Sequence, residues 1–275
     1  MPLPPDLAFS SKGAEYERES LHNPIVRFTR RQVYSHILRL RKPPAKILEI
    51  NAGSGFDALN LARMGYSVLA TDSAPGMVDM IKSKTHPNLK GEQMSFLNLD
   101  LDQTFDIILS NFGGLNTTPH LAKVFKQFPY LLNEGGFAIL TILNPFCLWE
   151  FANLPWSWKT ATRRLNWFKK KPVKANIDGH SVNTYYYSPS QIRNAMPLFM
   201  EYVGIQGLST FVPPPYMNHI PAKYPNFYRF LEKIEKRLAF YWPFTHVGDY
   251  FIITFRKMPL ASRNMILYSR WPGFD

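Results

Sequence analysis

Residues 45–72 read AKILEINAGSGFDALNLARMGYSVLATD, and their pattern decides the fold. AKILEI (45–50) is a short, β-rich apolar run. It ends in a loop of small residues, NAGSG (51–55). FDALNLARMG (56–65) follows as a helix, with Gly65 as its C-terminal stop. YSVLATD (66–72) is a second strand that ends on an acid. A strand that turns through glycines directly into a helix presents free backbone N–H groups and the positive end of a helix dipole at one point. Asp72 comes 17 residues after Gly55, at the end of the next strand, where a carboxylate can accept the hydroxyl protons of a ribose. Together these residues describe a nucleoside-binding crevice at the C-terminal edge of a parallel sheet.

The same rhythm extends in both directions. APGMVDMIKSK (74–84) reads as a helix, EQMSFLNL (92–99) as a third strand and TFDIILSN (104–111) as a fourth. PHLAKVFKQFPYLLNEGG (119–136) reads as one helix closed by Gly135-Gly136, and FAILTIL (137–143) as a fifth strand. Runs that are apolar on both faces, alternating with helices, imply a parallel sheet covered on both sides. Upstream, Pro24–Leu40 is a helix with Ile25, Phe28, Val33, Ile37, Leu38 and Leu40 on its apolar side, stopped by Lys42-Pro43-Pro44. Downstream, residues 173–188 form a hairpin about Asp178-Gly179, 189–196 a short helix and 199–212 a sixth strand. Residues 213–225 form a loop with five prolines. Residues 226–242 form an amphipathic helix with Phe227, Phe230, Leu231, Ile234 and Leu238 inward, and 249–257 a last strand. The expected organisation is an N-terminal lid (1–44), a core (45–143), a cap insertion (144–188), a core continuation (189–212), a second cap insertion (213–248), and a closing strand with tail (249–275).

The chain has 275 residues, enough for one α/β domain with an appended lobe. A single cysteine, Cys147, excludes an internal disulfide framework and any multi-thiolate metal site, and a reducing, cytoplasmic setting is expected. The start lacks a signal-peptide pattern. The longest apolar run, 137–149, is interrupted at Asn144-Pro145, short of a membrane span. Lysine and arginine exceed the acids by 32 − 20 = 12, which points to an anionic partner. The stretch Trp149–Lys171 holds four tryptophans and six basic residues, a composition suited to an anionic membrane surface or to nucleic-acid stacking as well as to a packed lobe with solvated charges.

Gly53-x-Gly55-x-x-Ala58 fits the dinucleotide fingerprint. The wider pattern resembles the class I S-adenosylmethionine-dependent methyltransferases, whose glycine loop reads E/D-x-G-x-G-x-G. Here it is Glu49-Ile50-Asn51-Ala52-Gly53-Ser54-Gly55, followed by Asp72-Ser73-Ala74-Pro75-Gly76-Met77, then Phe105-Asp106-Ile107-Ile108-Leu109-Ser110-Asn111, then Leu131-Leu132-Asn133-Glu134-Gly135-Gly136. Asn51 stands where the first glycine is usual, and asparagine enters the left-handed backbone region more readily than most residues. The resemblance implies a doubly wound, seven-stranded Rossmann-like sheet of six parallel strands and one antiparallel strand, with a cap from the N-terminal and inserted segments. It implies that Glu49 anchors the loop and the methionine end of S-adenosylmethionine. Asn51, Ala52, Gly53 and Gly55 would pass close to that end, and Asp72 with Ser73 would take the ribose. Met77, Asn98 and Leu99 would border the adenine, and Ser110, Asn111 and Phe112 would lie near the sulfonium. Tyr16 would be a lid contact, and no metal is implied.

The acceptor is expected to be a small molecule with an apolar or aromatic body, because aromatics make up 15% of the chain. A base able to take a proton from it is sought at His120, nine residues past the fourth strand, and an acceptor contact at Tyr187. Alternatives open on the sequence are a methyltransferase acting on RNA or protein, an NAD(P)-dependent oxidoreductase, and a ligand-binding protein of this fold without catalysis. Pro213-Pro214-Pro215-Tyr216 looks like the Asn/Asp-Pro-Pro-Tyr motif of amino-directed DNA methyltransferases. It follows the wrong strand and lacks the leading Asn or Asp, so it carries no weight.

Overall fold

The β-rich runs pair as their apolar pattern demands. The computed structural model describes residues 17–18, 21–152, 162, 164, 171–177, 180–260 and 262. In chain order the elements are α1 (Pro24–Leu40), β1 (Lys46–Ile50), α2 (Phe56–Arg63), β2 (Ser67–Asp72), α3 (Pro75–Ser83), β3 (Leu89–Gln93), β4 (Phe105–Ser110), α4 (Leu121–Phe125), α5 (Phe128–Leu131) and β5 (Leu132–Leu143). There follow α6 (Leu148–Ala152), β6 (Val173–Ile177), β7 (His180–Thr184), α7 (Pro189–Ala195), β8 (Met200–Leu208), α8 (His219–Lys223), α9 (Pro225–Leu238) and β9 (Tyr250–Lys257). One seven-stranded sheet has the order β3-β2-β1-β4-β5-β9-β8. β1 to β5 are parallel and β9 is antiparallel to both of its neighbours, so six strands run one way and one the other. The order reverses between β1 and β4, the switch point where open α/β sheets bind ligands.

Each face of the sheet carries its own core. Alternation along β1 sends Ile47 to the face covered by Val33 and Ile37 of α1 and Leu61 of α2. Leu48 and Ile50 go to the opposite face, with Phe105, Phe125, Phe128, Phe251 and Phe255. The same period puts Glu49 on the Ile47 face, beneath α1 and α2. Asn23 caps α1 by accepting the Ile25 N–H at 3.0 Å, and Ser188 with Gln191 forms a capping box on α7.

Several sequence expectations are corrected. The third strand ends at Gln93 instead of covering 92–99. The Ser95 hydroxyl and carbonyl draw in the N–H groups of Leu97 and Asn98 and make a turn there, while Met94, Phe96 and Leu97 still pack on the core. The single helix expected over 119–136 is two short ones, because Pro129 has no N–H to offer the Phe125 carbonyl, and β5 begins at Leu132. The proline-rich stretch 213–225 holds a helix, α8, with Pro221 in its first turn, where no N–H is needed. In α9 the inward side chains are Tyr228, Leu231 and Glu235, while Phe227 and Phe230 are exposed. Buried Glu235 sets that rotation. Its carboxylate accepts the backbone N–H groups of Thr210, Phe211 and Val212 at 2.6–3.1 Å, and burial holds its pKa above the ordinary value.

β6 and β7 pair as the expected antiparallel hairpin, whose turn residues lie outside the described residues, as does most of the basic aromatic stretch. Arg164 ties the segment after β5 to the start of β9. It makes two bonds to Glu150 at 2.7 and 2.9 Å, a short contact to Asp249, and a 2.7 Å bond to the Asn144 carbonyl. Cys147 lies beside these carboxylates in a grouping of metal-like spacing, but Arg164 engages both acids. Burial and then the charge of Asp249 push the Cys147 thiol up to about 12, which closes thiolate chemistry to it at neutral pH. Among the described residues no helix is long and apolar enough to cross a membrane.

Candidate functional site

The loop after β1 is built from left-handed backbone. Asn51, Gly53 and Gly55 have φ of 52°, 56° and 74°. The three residues meet this demand for different reasons. Space is open where a Cβ of Gly53 would stand, so glycine is required there by φ alone and the backbone faces a void. A Cβ on Gly55 would lie 2.7 Å from Ile81 Cγ1, so Gly55 lets the loop close onto α3. Asn51 uses its side chain as a tie. Its Oδ1 accepts the Ser110 hydroxyl at 2.8 Å, its Nδ2 reaches the Asn111 carbonyl at 3.4 Å, and it lies where a Cβ on Gly114 would stand. Asn51 therefore joins the ends of β1 and β4 at the switch point. Asp72 braces the loop from the next strand, accepting the Gly53 N–H at 2.8 Å and the Ala74 N–H at 3.0 Å.

Beneath the loop lies a buried charged network. Glu49 is 2% exposed, and among the described residues its Oε2 has no hydrogen-bond partner. Its carboxyl pKa is pushed well above the ordinary value, first by burial and then by the negative charge of Asp57. Arg30 pulls it down, and Asp72 adds a further upward push. Asp57, in the first turn of α2, is ion-paired to Arg30 Nε at 3.1 Å. It also accepts a short bond from the Tyr34 hydroxyl and one from Asn111 Nδ2 at 3.3 Å. Arg30 comes from α1, is buried, and lies over the rings of Phe56 at 4.3 Å and Phe112 at 5.3 Å. Among the described residues its Nη1 has no hydrogen-bond partner. A buried carboxylate oxygen and a buried guanidinium nitrogen, both unanswered, are the features that a zwitterionic amino-acid group would satisfy.

The structure brings together many, not all, of the residues singled out by sequence. Glu49, Asn51, Gly53, Asp72, Ser110, Asn111 and Phe112 converge at the ends of β1, β2 and β4. Ala52 donates to the Thr71 carbonyl at 2.9 Å, and Ser73 follows Asp72 on the way into α3, where Met77 is buried. Ser110 and Asn111 are turned to Asn51 and Asp57, so they hold the loop, whereas Phe112, at φ 49°, stands against Arg30 and meets Tyr250 edge-on. Asn98 is exposed in the turn after β3. Leu99 is a core residue whose N–H donates to Gln127 Oε1 at 2.6 Å. His120 is exposed at the start of α4, and Tyr187 donates its hydroxyl to the Thr118 carbonyl. Burial pushes the Tyr187 phenol up, and its ring packs against the core instead of lining the cavity described below. Tyr16 lies outside the described residues.

A half-open cavity of about 1,100 Å³ adjoins this network. Thr29, Arg30 and Tyr228, all buried, belong to its lining with Phe112 and Tyr250, and the exposed Arg18, His22, Arg27 and Arg229 stand on its open side. Sequence reasoning missed Arg30, Asp57 and Tyr34. The available signal was the spacing of Arg30 and Tyr34, four residues apart on a helix whose neighbours Thr29 and Val33 point inward.

A family model described as a methyltransferase domain matches residues 47–136. A curated relative, the ubiquinone biosynthesis O-methyltransferase of Azorhizobium caulinodans, is 26% identical over 122 residues, 40% of this chain and 46% of the relative. The chain thus matches about half the length of that relative. Among solved structures, an S-adenosylmethionine-dependent methyltransferase from Clostridium acetobutylicum has a similar fold, with a TM-score of 0.55 at 11% identity, covering 85% of this chain and 92% of that one. Another, from Mesorhizobium loti, has a TM-score of 0.53 at 14% identity and covers 81% and 96%. The family match falls on the segment that carries the glycine loop, Asp72 and β4.

Proposed function

We propose that this chain, a class I S-adenosylmethionine-dependent methyltransferase, transfers a methyl group to an oxygen, nitrogen or carbon nucleophile of a small acceptor with an apolar or aromatic body, held in the cavity beside Phe112. The observation that carries the reading is the pair of unanswered buried atoms, Glu49 Oε2 and Arg30 Nη1, beneath a glycine loop braced by Asp72. Glu49 suits an ammonium group and Arg30 a carboxylate, so the two fit the methionine end of the cofactor. Asp72 stands at the end of β2 beside the loop, where a carboxylate suits ribose hydroxyls. When bound, the cofactor supplies a methyl group already activated by its sulfonium.

The protein's own contribution is then positioning and exclusion of water, which can supply about 7–11 kcal/mol. Phe112 and Tyr250 form an apolar wall between the loop and the cavity. Where the nucleophile must lose a proton, His22 lines the cavity and is better placed to take it than His120, which does not. An O-directed reaction agrees with the curated relative, at low identity.

The test compares S-adenosylhomocysteine with 5′-methylthioadenosine, which lacks the amino-acid end. Tighter binding of the former by at least tenfold is expected, with Glu49→Gln and Arg30→Lys removing the advantage and leaving 5′-methylthioadenosine binding unchanged. Equal affinity of the two ligands for the unmodified protein would overturn the assignment of Glu49 and Arg30.

A further inference from the structure

The cavity beside Phe112 has a one-sided charge. The exposed Arg18, Arg27 and Arg229 belong to its lining, and neither aspartate nor glutamate is among the lining residues that are described. Among the described residues none of the three guanidinium groups is ion-paired. Arg229 donates one bond, to Asn226 at 2.6 Å, and the neighbouring Glu232 is paired instead with Arg31, which faces away from the cavity lining. Arg30, which also lines the cavity, is already paired with Asp57. His22, Asn23, Thr29 and Asn218 add neutral polar groups, and an apolar or aromatic wall is made by residues such as Val26, Pro215, Tyr216, Pro221, Tyr228 and Tyr250. Three guanidiniums without an acidic partner among the described residues repel one another within one lining, and an anion at the mouth would relieve that repulsion. Guanidinium groups also match the planar oxygen pairs of phosphates and carboxylates, which lysines do not.

We propose that the acceptor is an amphiphilic anion, with a phosphate or carboxylate headgroup held by Arg18, Arg27 and Arg229 and an apolar body along the tyrosine- and proline-lined wall toward Phe112. This deepens the methyltransferase reading and rests on it only in naming the occupant as the methyl acceptor. The volume suits the role, since about 1,100 Å³ is at the large end of small-molecule sites and holds a headgroup with a body of ten or so carbons. The headgroup at the mouth would leave the far end of the body next to Phe112, so the anion selects and orients while the nucleophile is presented from the body.

The test is calorimetric binding to the full chain of decyl phosphate, decanoate and 1-decanol, with inorganic phosphate as the headgroup alone. A twelve-nucleotide RNA serves as the competing macromolecular anion. The two charged amphiphiles are expected to bind at least tenfold more tightly than 1-decanol and to weaken with added salt. Arg27→Gln/Arg229→Gln should abolish that tenfold preference and leave S-adenosylhomocysteine binding unchanged, because both arginines lie outside the loop and its buried network. Which charged probe binds more tightly separates a phosphate headgroup from a carboxylate. Equal binding of 1-decanol, or an unchanged preference in the double variant, overturns the proposal. RNA that displaces the amphiphiles and binds more tightly than they do overturns it in favour of a nucleic-acid groove. Failure of S-adenosylhomocysteine to bind, with the charge preference intact, refutes the cofactor reading and leaves the anion site standing.

Discussion

Replacing Glu49 with glutamine should move stability and ligand affinity in opposite directions. Glu49 is buried, one of its oxygens is unanswered, and its folded-state pKa stands above the ordinary 4.5 because burial, Asp57 and Asp72 all disfavour its charge. Above the folded pKa the ionised carboxylate is a cost to the ligand-free fold. Below 4.5 the group is protonated in both folded and unfolded states, and the cost is gone. Glu49→Gln should therefore raise the melting temperature at pH 8, and the gain should shrink as the pH falls toward 4.5. Each unit of pKa elevation is worth about 1.4 kcal/mol, or about 3–6 °C for a chain of this size. The same substitution removes the charge that would meet the ligand's ammonium, a loss of about 1.5–3 kcal/mol, or about 10- to 150-fold in affinity. Differential scanning fluorimetry across pH, with and without S-adenosylhomocysteine, reads both effects. A lower melting temperature in the ligand-free variant, or a gain that does not change with pH, would refute the electrostatic argument. Unchanged ligand affinity would show that Glu49 does not meet the cofactor.

Other consequences can be checked as directly. Asp72→Ala should weaken S-adenosylhomocysteine by about 1–3 kcal/mol in a calorimetric titration, since it removes the loop brace and the carboxylate proposed to meet the ribose. Arg164→Leu leaves Glu150 and Asp249 buried without their cation and should cost about 3–5 kcal/mol in chemical denaturation, whereas a surface change such as Lys126→Gln should cost almost nothing. Gly55→Ala forces a side chain into a left-handed backbone and against Ile81, and should destabilise by about 1–3 kcal/mol where Gly204→Ala, facing open space at an ordinary φ, does not. His36 is held down to about 4, chiefly by burial, so the unfolded chain takes its proton first and stability falls as the pH drops from 6.5 toward 4. His36→Gln should flatten that part of the melting curve.

The order of strands and helices through residue 143 was legible because a parallel sheet covered on both faces writes itself as apolar runs separated by helical spacing. The glycine loop was legible for a related reason, since left-handed backbone restricts residue choice, and Asn51 at φ 52° is a residue that tolerates it. What stayed hidden was set by partners distant in sequence. Arg30 sits in a run of charges that reads as a solvated helix face until Asp57 and the rings of Phe56 and Phe112 are brought to it. The inward face of α9 was misjudged because its hydrophobic pattern favours Phe227 and Phe230, while the backbone N–H groups of 210–212 demand Glu235. The third strand reads too far along the chain because Met94, Phe96 and Leu97 contribute to the core from a turn. At Gly55 the pattern shows only a left-handed turn, and that a Cβ there would also meet Ile81 of α3 is visible only in the fold.

The central claim is that the crevice between the ends of β1 and β4 holds S-adenosylmethionine through Glu49, Arg30 and Asp72. Calorimetric titration of S-adenosylhomocysteine and of NAD, into the unmodified protein and into Glu49→Gln, tests it most directly. The account predicts saturable one-to-one binding of S-adenosylhomocysteine, weakened in Glu49→Gln, and no heat from NAD. Binding of NAD with none of S-adenosylhomocysteine would contradict it.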